Sequence, residues 1–542
     1  MAYLEAKNIF FKYPDSEQHV LKNVSFSTSR GEFIVLCGPS GSGKSTLLRL
    51  IKREIAPHGK QDGIFQLDGK LLEHTSEETA KDIGMVFQDP ENQIVMDQVL
   101  EELIFGMENL GYSTDEMRKK IAEIVHFFGL GDLLHRKTHE LSGGQKQLVN
   151  LASILVLEPK LLLLDEPTAQ LDPVAARDFI GMLQTMNDEF GITIIIAEHR
   201  LEELFGIADK AIVLVDGEIS IQGNPRDVIA TIGKDDKHPL YPYLPSPARL
   251  YLEHEINTNH PHIPINVKEG KSWLLKQQVE LLANIEEEIT TSAELVKLKN
   301  IEFQYSREST KILDRLSLSI LKGEWLSIVG ANGTGKSTLL KVIAGLEKPQ
   351  HGSIYYEKKK LKKHNPGKIG YLPQNPKLFF IQDTIEAELK QIAKFHQLQT
   401  GDEEINYYVK LFQLEDILQQ HPYDVSGGQM QKAALAGVLL SKPSLLLVDE
   451  PTKGLDPVAK QTFGELLKML QKQGLTIVMV THDIEFAAKY ATRCAMLFQG
   501  TITTIAPAKR FFNGNAFYTT VLNRITRGSD IPHVLTVEEA RM

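Results

Sequence analysis

Phe33-Ile-Val-Leu-Cys37-Gly38-Pro-Ser40-Gly41-Ser-Gly43-Lys44-Ser45-Thr46 opens on five apolar residues and ends in the pattern G-x-x-x-x-G-K-S. An apolar run of that length closed by glycine reads as a buried strand feeding a tight turn and then a helix. In such a loop the glycines let backbone N–H groups wrap a phosphate, Lys44 reaches the β/γ oxygens and Ser45 faces Mg²⁺. Trp325–Val329 followed by Gly330-Ala-Asn332-Gly333-Thr-Gly335-Lys336-Ser337-Thr338 repeats the pattern 292 residues later (336 − 44). The chain therefore carries two loops suited to ATP with Mg²⁺.

Other landmarks recur at nearly the same offset: Gln88 and Gln374 at 286 (374 − 88), Asp165 and Asp449 at 284 (449 − 165). An offset this steady marks a tandem repeat. Leu161–Leu164 leads to Asp165-Glu166 and Leu445–Val448 leads to Asp449-Glu450. An aspartate at the end of a buried strand can join a Mg²⁺ shell, and the glutamate beside it can orient or deprotonate an attacking water. Strands alternating with helices imply an α/β fold with a mostly parallel core. The expected division is 1–235, a connector with a probable helix over 236–293, and 294–542. The connector is rich in Pro, Tyr and His, and Trp273, Leu274, Val279, Leu281, Leu282 and Ile285 follow near helical spacing. His254, His260 and His262 lack the Cys or helical His pair that a metal site would bring.

At 542 residues the chain exceeds one core, and 42% hydrophobic with 24% charged residues is a globular composition. Its apolar stretches fall short of the roughly 20 residues that span a bilayer, and MAYLEAKNIF does not read as a secretory signal. Cys37 and Cys494 give no disulfide framework, and Cys37 reads as plain core. A net charge of −10 argues against broad nucleic-acid binding. Lys358-Lys359-Lys360 with Lys362 and Lys363 reads as a solvated hairpin tip or a contact with a partner or anionic lipid.

Ser142-Gly143-Gly144-Gln145 and Ser426-Gly427-Gly428-Gln429 lie just upstream of the acidic strands, and this combination resembles the ATP-binding cassette (ABC) family. The resemblance implies two tandem ABC-type P-loop NTPase domains, each with a mostly parallel core sheet, an antiparallel β subdomain and a helical subdomain. It implies that Glu166, His199, Glu450 and His482 are catalytic, the histidines as switch residues at the γ-phosphate. Gln88 and Gln374 resemble the Q-loop that touches Mg²⁺, beside Ser45, Asp165, Ser337 and Asp449. Tyr13 and Tyr305 resemble the aromatic that stacks on adenine, with an ordinary core tyrosine as the alternative. The signature loops imply crossed pairing within the chain, the Lys44 loop facing Ser426 and the Lys336 loop facing Ser142. Leu171-Asp172 and Leu455-Asp456 resemble the D-loop at that interface. The second signature opens on Val425 where the family has Leu, a conservative departure.

Beyond the Q-loops stand Ile94-Val95-Met96-Asp97 and Leu378-Phe379-Phe380-Ile381. The first looks like the segment of energy-coupling factor (ECF) importers that receives helices of the membrane subunit, with buried core as the alternative. Asp97, Glu101 and Glu102 would then suit basic residues of the partner. The tandem layout looks most like the ATP-binding subunit for hydroxymethylpyrimidine/thiamine import. This implies a transmembrane subunit, a separate substrate-capture membrane subunit, no nucleic acid, and a peripheral position on the cytoplasmic face of the membrane. Tandem sugar-importer ATPases and ribosome-associated ABC proteins are the alternatives.

Overall fold

The computed structural model describes residues 2–14, 16–72, 77–254, 262–277, 292–306, 310–361, 368–397, 401–528 and 533–540. His260, Val279, Leu281, Leu282, Ile285, Lys362 and Lys363 lie outside them. Two compact units divide the chain, Met1–Trp273 and Leu274–Met542.

The first unit has a six-stranded sheet in the order Glu218–Gly223, Lys210–Val215, Phe33–Cys37, Thr193–Ala197, Leu161–Asp165, Ile83–Val86. Its neighbours are parallel except at the Glu218–Gly223 edge. The central strands are buried along their whole length: Phe33, Val35 and Cys37 enter one core cluster, and Ile34 and Leu36 enter another on the opposite face. Burial on both faces is why the sequence reads as continuous apolar runs rather than as alternation. An antiparallel sheet, Leu21–Thr28, Leu4–Lys12, Lys60–Leu67, Lys70–Leu71, covers one side. A helical region holds Val99–Asn109, Thr114–Phe128 and Gly143–Leu155.

The second unit repeats this plan. Its main sheet runs Ile369–Leu372, Leu445–Asp449, Thr476–Val480, Trp325–Val329, Arg493–Phe498, Thr501–Pro507, again antiparallel only at the last edge. Its antiparallel sheet runs Leu313–Leu321, Glu294–Phe303, His351–Tyr356, Lys359–Lys360, which makes Lys359 and Lys360 the return strand of a hairpin. Its helical region holds Ile385–Phe395, Gly401–Phe412 and Gly427–Leu440.

The stretch after residue 235 has more structure than its composition suggests. Tyr241, Tyr243, Leu244, Ala248, Tyr251, Ile263 and Ile265 are buried in the same core as Phe205 and Ile229 of the first unit. Its helices are Ser246–His254 and Val267–Gln277.

Gly464 shows how tightly the second core is filled. It sits in the helix Pro457–Lys472, where a Cβ would lie 2.3 Å from the Tyr490 ring. That ring is itself stacked on buried Trp325 with centroids 5.8 Å apart, so it has little room to yield. Alanine in a helix gains about 1 kcal/mol over glycine, whereas overpacking costs roughly 1–3 kcal/mol. Gly464→Ala is therefore expected to lower stability by up to about 2 kcal/mol in denaturant unfolding of the second unit's core.

Candidate active site

Both phosphate loops are drawn between a strand end and a helix start. Gly43 and Gly335 precede the helices Lys44–Ile51 and Lys336–Ala344 with φ of 99° and 98°, a left-handed turn that glycine adopts without a Cβ penalty. A Cβ at Gly43 would also fall 2.7 Å from Leu21. The turn folds the lysine back over the loop. Lys44 Nζ donates to the carbonyls of Gly38 and Pro39, each at 2.9 Å, and Lys336 Nζ to those of Gly330 and Ala331 at 3.0 and 2.9 Å.

Parallel register brings the acidic strand ends to the same edge. Ser45 Oγ donates to Asp165 Oδ1 at 2.8 Å, and Ser337 Oγ to Asp449 Oδ1 at 2.9 Å. One step on, Gln88 Nε2 donates to Glu166 Oε2 at 2.7 Å, and His199 Nε2 lies 2.8 Å from Glu166 Oε1. In the second unit His482 Nδ1 lies 2.9 Å from Glu450 Oε2, and Lys336 Nζ is 3.7 Å from Glu450 Oε1. Gln374 is exposed at the end of its strand. Glu166 and Glu450 have φ of 43° and 45°, a left-handed conformation that costs a non-glycine residue roughly 1–3 kcal/mol. Hydrogen bonds from their backbone N–H groups to Ala197 and Val480 fix it, at 2.9 and 3.0 Å. This backbone turn directs each glutamate away from its strand and toward the histidine.

The adjacent carboxyls are shifted in opposite directions. Burial pushes Asp165 up to about 6 despite the Ser45 hydroxyl, and Asp449 up to about 6 despite Ser337 and Tyr371. Burial would also raise Glu450, but the His482 hydrogen bond, its charge and Lys336 outweigh it and hold the carboxyl at about 2. In the same way His199, Lys44 and Gln88 outweigh burial and lower Glu166. Each site thus holds a glutamate whose charged form is favoured beside an aspartate whose burial outweighs the cations near it, Arg49 and Lys44 at Asp165 and Lys341 at Asp449. A serine hydroxyl and a buried carboxylate are hard oxygen donors, so Ser45 with Asp165 and Ser337 with Asp449 fit a Mg²⁺ ion.

The remaining sequence candidates lie around this ring. Tyr13 Oη is 3.1 Å from Thr46 Oγ1 and Tyr305 Oη is 3.2 Å from Thr338 Oγ1, each edge-on to a core phenylalanine. Ser142 and Ser426 begin the helices Gly143–Leu155 and Gly427–Leu440 in capping boxes with Gln145 and Gln429. A hydroxyl that accepts an amide can still donate its own hydrogen. Asp172 and Asp456 cap the helices Pro173–Phe190 and Pro457–Lys472.

Two groups escaped the sequence reading. Buried Glu198 accepts from the N–H and hydroxyl of Thr168 and from the His199 N–H, which ties the switch histidine to the turn after Glu166. The repeat has Thr481 there. Glu102, expected to face a basic partner, is buried, and its Oε2 accepts the N–H groups of Val95 and Met96 at 2.9 and 2.8 Å. Glu388 does the same for Ile381 and Gln382 at 2.6 and 2.8 Å. Orphan amides demanded that carboxylate, and an unmet one costs about 1–3 kcal/mol.

Two parallel α/β units, each with a phosphate loop, a Mg²⁺-type aspartate and a histidine-held glutamate, define a tandem nucleoside triphosphatase. The chain belongs to the ABC transporter family, whose sequence profile matches residues 21–169 and 313–453. A Bacillus thuringiensis subsp. konkukian protein, provisionally named an ABC transporter ATP-binding protein, is 46% identical over 547 residues, covering 99% of this chain and 98% of its own. A Bacillus subtilis protein, provisionally named the HMP/thiamine import ATP-binding protein YkoD, is 32% identical over 523 residues, covering 94% and 92%. The structure of CbiO1 from Clostridium perfringens, part of the ABC transporter complex CbiONQ, aligns with 36% identity and a TM-score of 0.39 over 42% of this chain and 91% of that one. The two cassettes therefore bind and hydrolyse ATP.

The aspartate state has a sign that can be measured. An acid whose folded pKa is raised binds more protons folded than unfolded, so its contribution to stability falls as pH rises from about 4 to about 6. At pH 7 and without metal, Asp449→Asn should raise unfolding free energy by about 1–3 kcal/mol. The gain should shrink at pH 5, while affinity for Mg²⁺–ATP drops. Denaturant titrations in EDTA at the two pH values, with a nucleotide-binding titration, check both signs.

Proposed function

We propose that the chain is the ATP-hydrolysing energy-coupling subunit of an ECF-type membrane importer for hydroxymethylpyrimidine/thiamine or a related vitamin. The observation that carries this reading is the apolar surface beyond the second Q-loop, where Leu378 is 76% exposed and Ile381 80%; beyond the first, Val95 is 65% exposed. In the second unit Phe379, Ile381, Ile392 and Phe395 line a groove of about 380 Å³ that includes Tyr371 and Gly437. Among the described residues no helix is long and apolar enough to cross a membrane. In this reading a partner supplies the transmembrane path and the substrate site, with this chain on the cytoplasmic face. The B. subtilis relative's name supports the vitamin.

Bound ATP and Mg²⁺ supply the phosphoanhydride and the Lewis acid. Lys44 and Lys336 would hold the β/γ oxygens, while Ser45, Asp165, Ser337, Asp449, Gln88 and Gln374 would hold the metal. Glu166 and Glu450, ionised and aimed by His199 and His482, orient the attacking water. The signature helices that begin after Ser142 and Ser426 would each offer an N-terminus to a γ-phosphate.

Changing both glutamates, Glu166→Gln with Glu450→Gln, should leave ATP binding intact and cut turnover by roughly 10²–10⁴-fold. Wild-type turnover in the double variant would remove these residues from the chemistry. For docking, Val95→Asp and Ile381→Asp are the variants of choice, because Phe380 is 8% exposed and an aspartate there would break the core instead. Both should abolish uptake of labelled hydroxymethylpyrimidine and thiamine while ATP binding by the purified chain persists. Uptake unchanged by deletion of the gene would overturn the vitamin, and recovery with ribosomes rather than a membrane partner would overturn the importer.

A further inference from the structure

The duplication extends past the cassettes into the segments that follow them. After its last core strand the first unit continues into the helices Ser246–His254 and Val267–Gln277. The second unit continues into Val521–Thr526 and the short turn Val537–Ala540. Tyr243, Ser246 and Arg249 match Tyr518, Val521 and Arg524 at one offset of 275 (518 − 243, 521 − 246, 524 − 249). Further on, the Glu269 N–H donates to Asn266 Oδ1 at 2.9 Å, and its carboxylate accepts the Ile265 N–H at 3.2 Å. Glu539 repeats this pair with Thr536 Oγ1 at 3.3 Å and the Leu535 N–H at 2.8 Å. The stretch between the cassettes is thus the first cassette's own tail, and the second cassette has one too.

Each tail is fastened next to its switch histidine. Glu202 stands three residues after His199, and its Oε1 accepts the Ser246 N–H at 2.8 Å and the Ser246 hydroxyl. Glu485 stands three residues after His482, and its Oε1 accepts the Val521 N–H at 2.7 Å. In both cases the donor is the first residue of the tail helix, whose N–H has no partner within the helix. The Tyr243 ring lies 6.2 Å from the His199 ring, centroid to centroid. Around the second tie, Ile484, Ala487, Phe511, Phe512 and Leu535 form a closed cluster, with Tyr518 packed on it.

We infer that Glu202 and Glu485 are positioning residues that make hydrolysis at each site depend on the seating of that cassette's own tail. The histidine holds the catalytic glutamate, the tail holds the loop that carries the histidine, and the chain between the two ties is three residues long. A tail displaced by a partner or by a change at the cassette interface would loosen the histidine and slow turnover without touching the phosphate loop. The importer reading is not required for this: the dependence is a property of the ATPase itself.

The second site gives the cleaner test, because Val521 donates to Glu485 through its N–H, which proline removes, whereas Ser246 donates to Glu202 through both its N–H and its hydroxyl. Val521 is the first helical residue and Thr520 before it is extended, with φ of −68° and ψ of 159°. Proline fits both positions and deletes only the donor. In the full chain carrying Glu166→Gln, so that turnover comes from the second cassette, Val521→Pro and Glu485→Ala should each lower kcat by about tenfold. That is the factor expected for losing roughly one hydrogen bond to a charged group. KM for ATP should stay within about twofold. The double variant should be no slower than either single one, since both break the same tie. Glu485→Gln, whose amide oxygen still accepts the N–H, should recover most of the rate. Amide exchange in residues 519–526 should quicken in the alanine variant and not in the glutamine one. Wild-type kcat in Glu485→Ala despite faster exchange would overturn the inference, as would additive losses in the double variant. If Val521→Pro fails to fold, comparison of Glu485→Ala with Glu485→Gln decides by the same criterion.

Discussion

Three parallel strands that end level with one another are the constraint on which each cassette depends. Leu36 pairs with Ala197, and Ala197 with Asp165; in the second unit Ile328 pairs with Val480, and Val480 with Asp449. That register sets the phosphate loop, the aspartate and the switch histidine along one sheet edge, where ligands of open α/β sheets bind. A slip of one residue would turn Asp165 to the other face and separate it from Ser45. What holds the register is burial. Each large aliphatic side chain in these strands contributes roughly 1.5–3 kcal/mol. An aspartate raised from 3.8 to about 6 costs about 3 kcal/mol. One or two core side chains per strand therefore offset the charged edge, and the strands bury four apolar residues or more.

The chemistry was legible in the sequence because it is local or sits at fixed spacing. Lys44 and Ser45 are adjacent, Glu166 follows Asp165, and each recurs in the second half at nearly the same offset. What was not legible depends on backbone amides, which leave no motif. Glu102 looked like a surface charge for a partner because nothing in the sequence shows that the N–H groups of Val95 and Met96 point at it. Leu378, Phe379, Phe380 and Ile381 read as one apolar block, yet the turn there buries Phe380 and exposes Leu378 and Ile381.

The tail of the first cassette was hidden for a different reason. Pro, Tyr and His suggest irregular structure, and Tyr241-Pro242-Tyr243 does form only a short 3₁₀ turn. Its order comes from packing on Leu204 and Phe205, a tertiary effect that local propensity does not carry. The repeat signal was also diluted. Tyr243 and Tyr518 share an offset of 275 and Glu269 and Glu539 one of 270 (539 − 269), against 283 to 292 in the cassettes, because segment lengths differ between the halves. Only the matched hydrogen bonds of Glu202 with Glu485, and of Glu269 with Glu539, make the correspondence plain.

The two sites share one ring of contacts and differ just outside it. Tyr371 Oη donates to Asp449 Oδ2 at 3.2 Å, whereas Met85 occupies the matching position in the first unit and offers no donor. Glu198 links His199 to Thr168, whereas Thr481 holds the Asp483 N–H at 2.9 Å instead. The imidazoles meet their glutamates through different nitrogens, Nε2 in His199 and Nδ1 in His482. None of these changes replaces the lysine or the serine of the phosphate loop or the glutamate beside the aspartate. They alter how firmly the aspartate and the histidine are held, and small displacements of an aiming group act on the rate more than on binding. The two cassettes thus differ in residues that a motif search passes over.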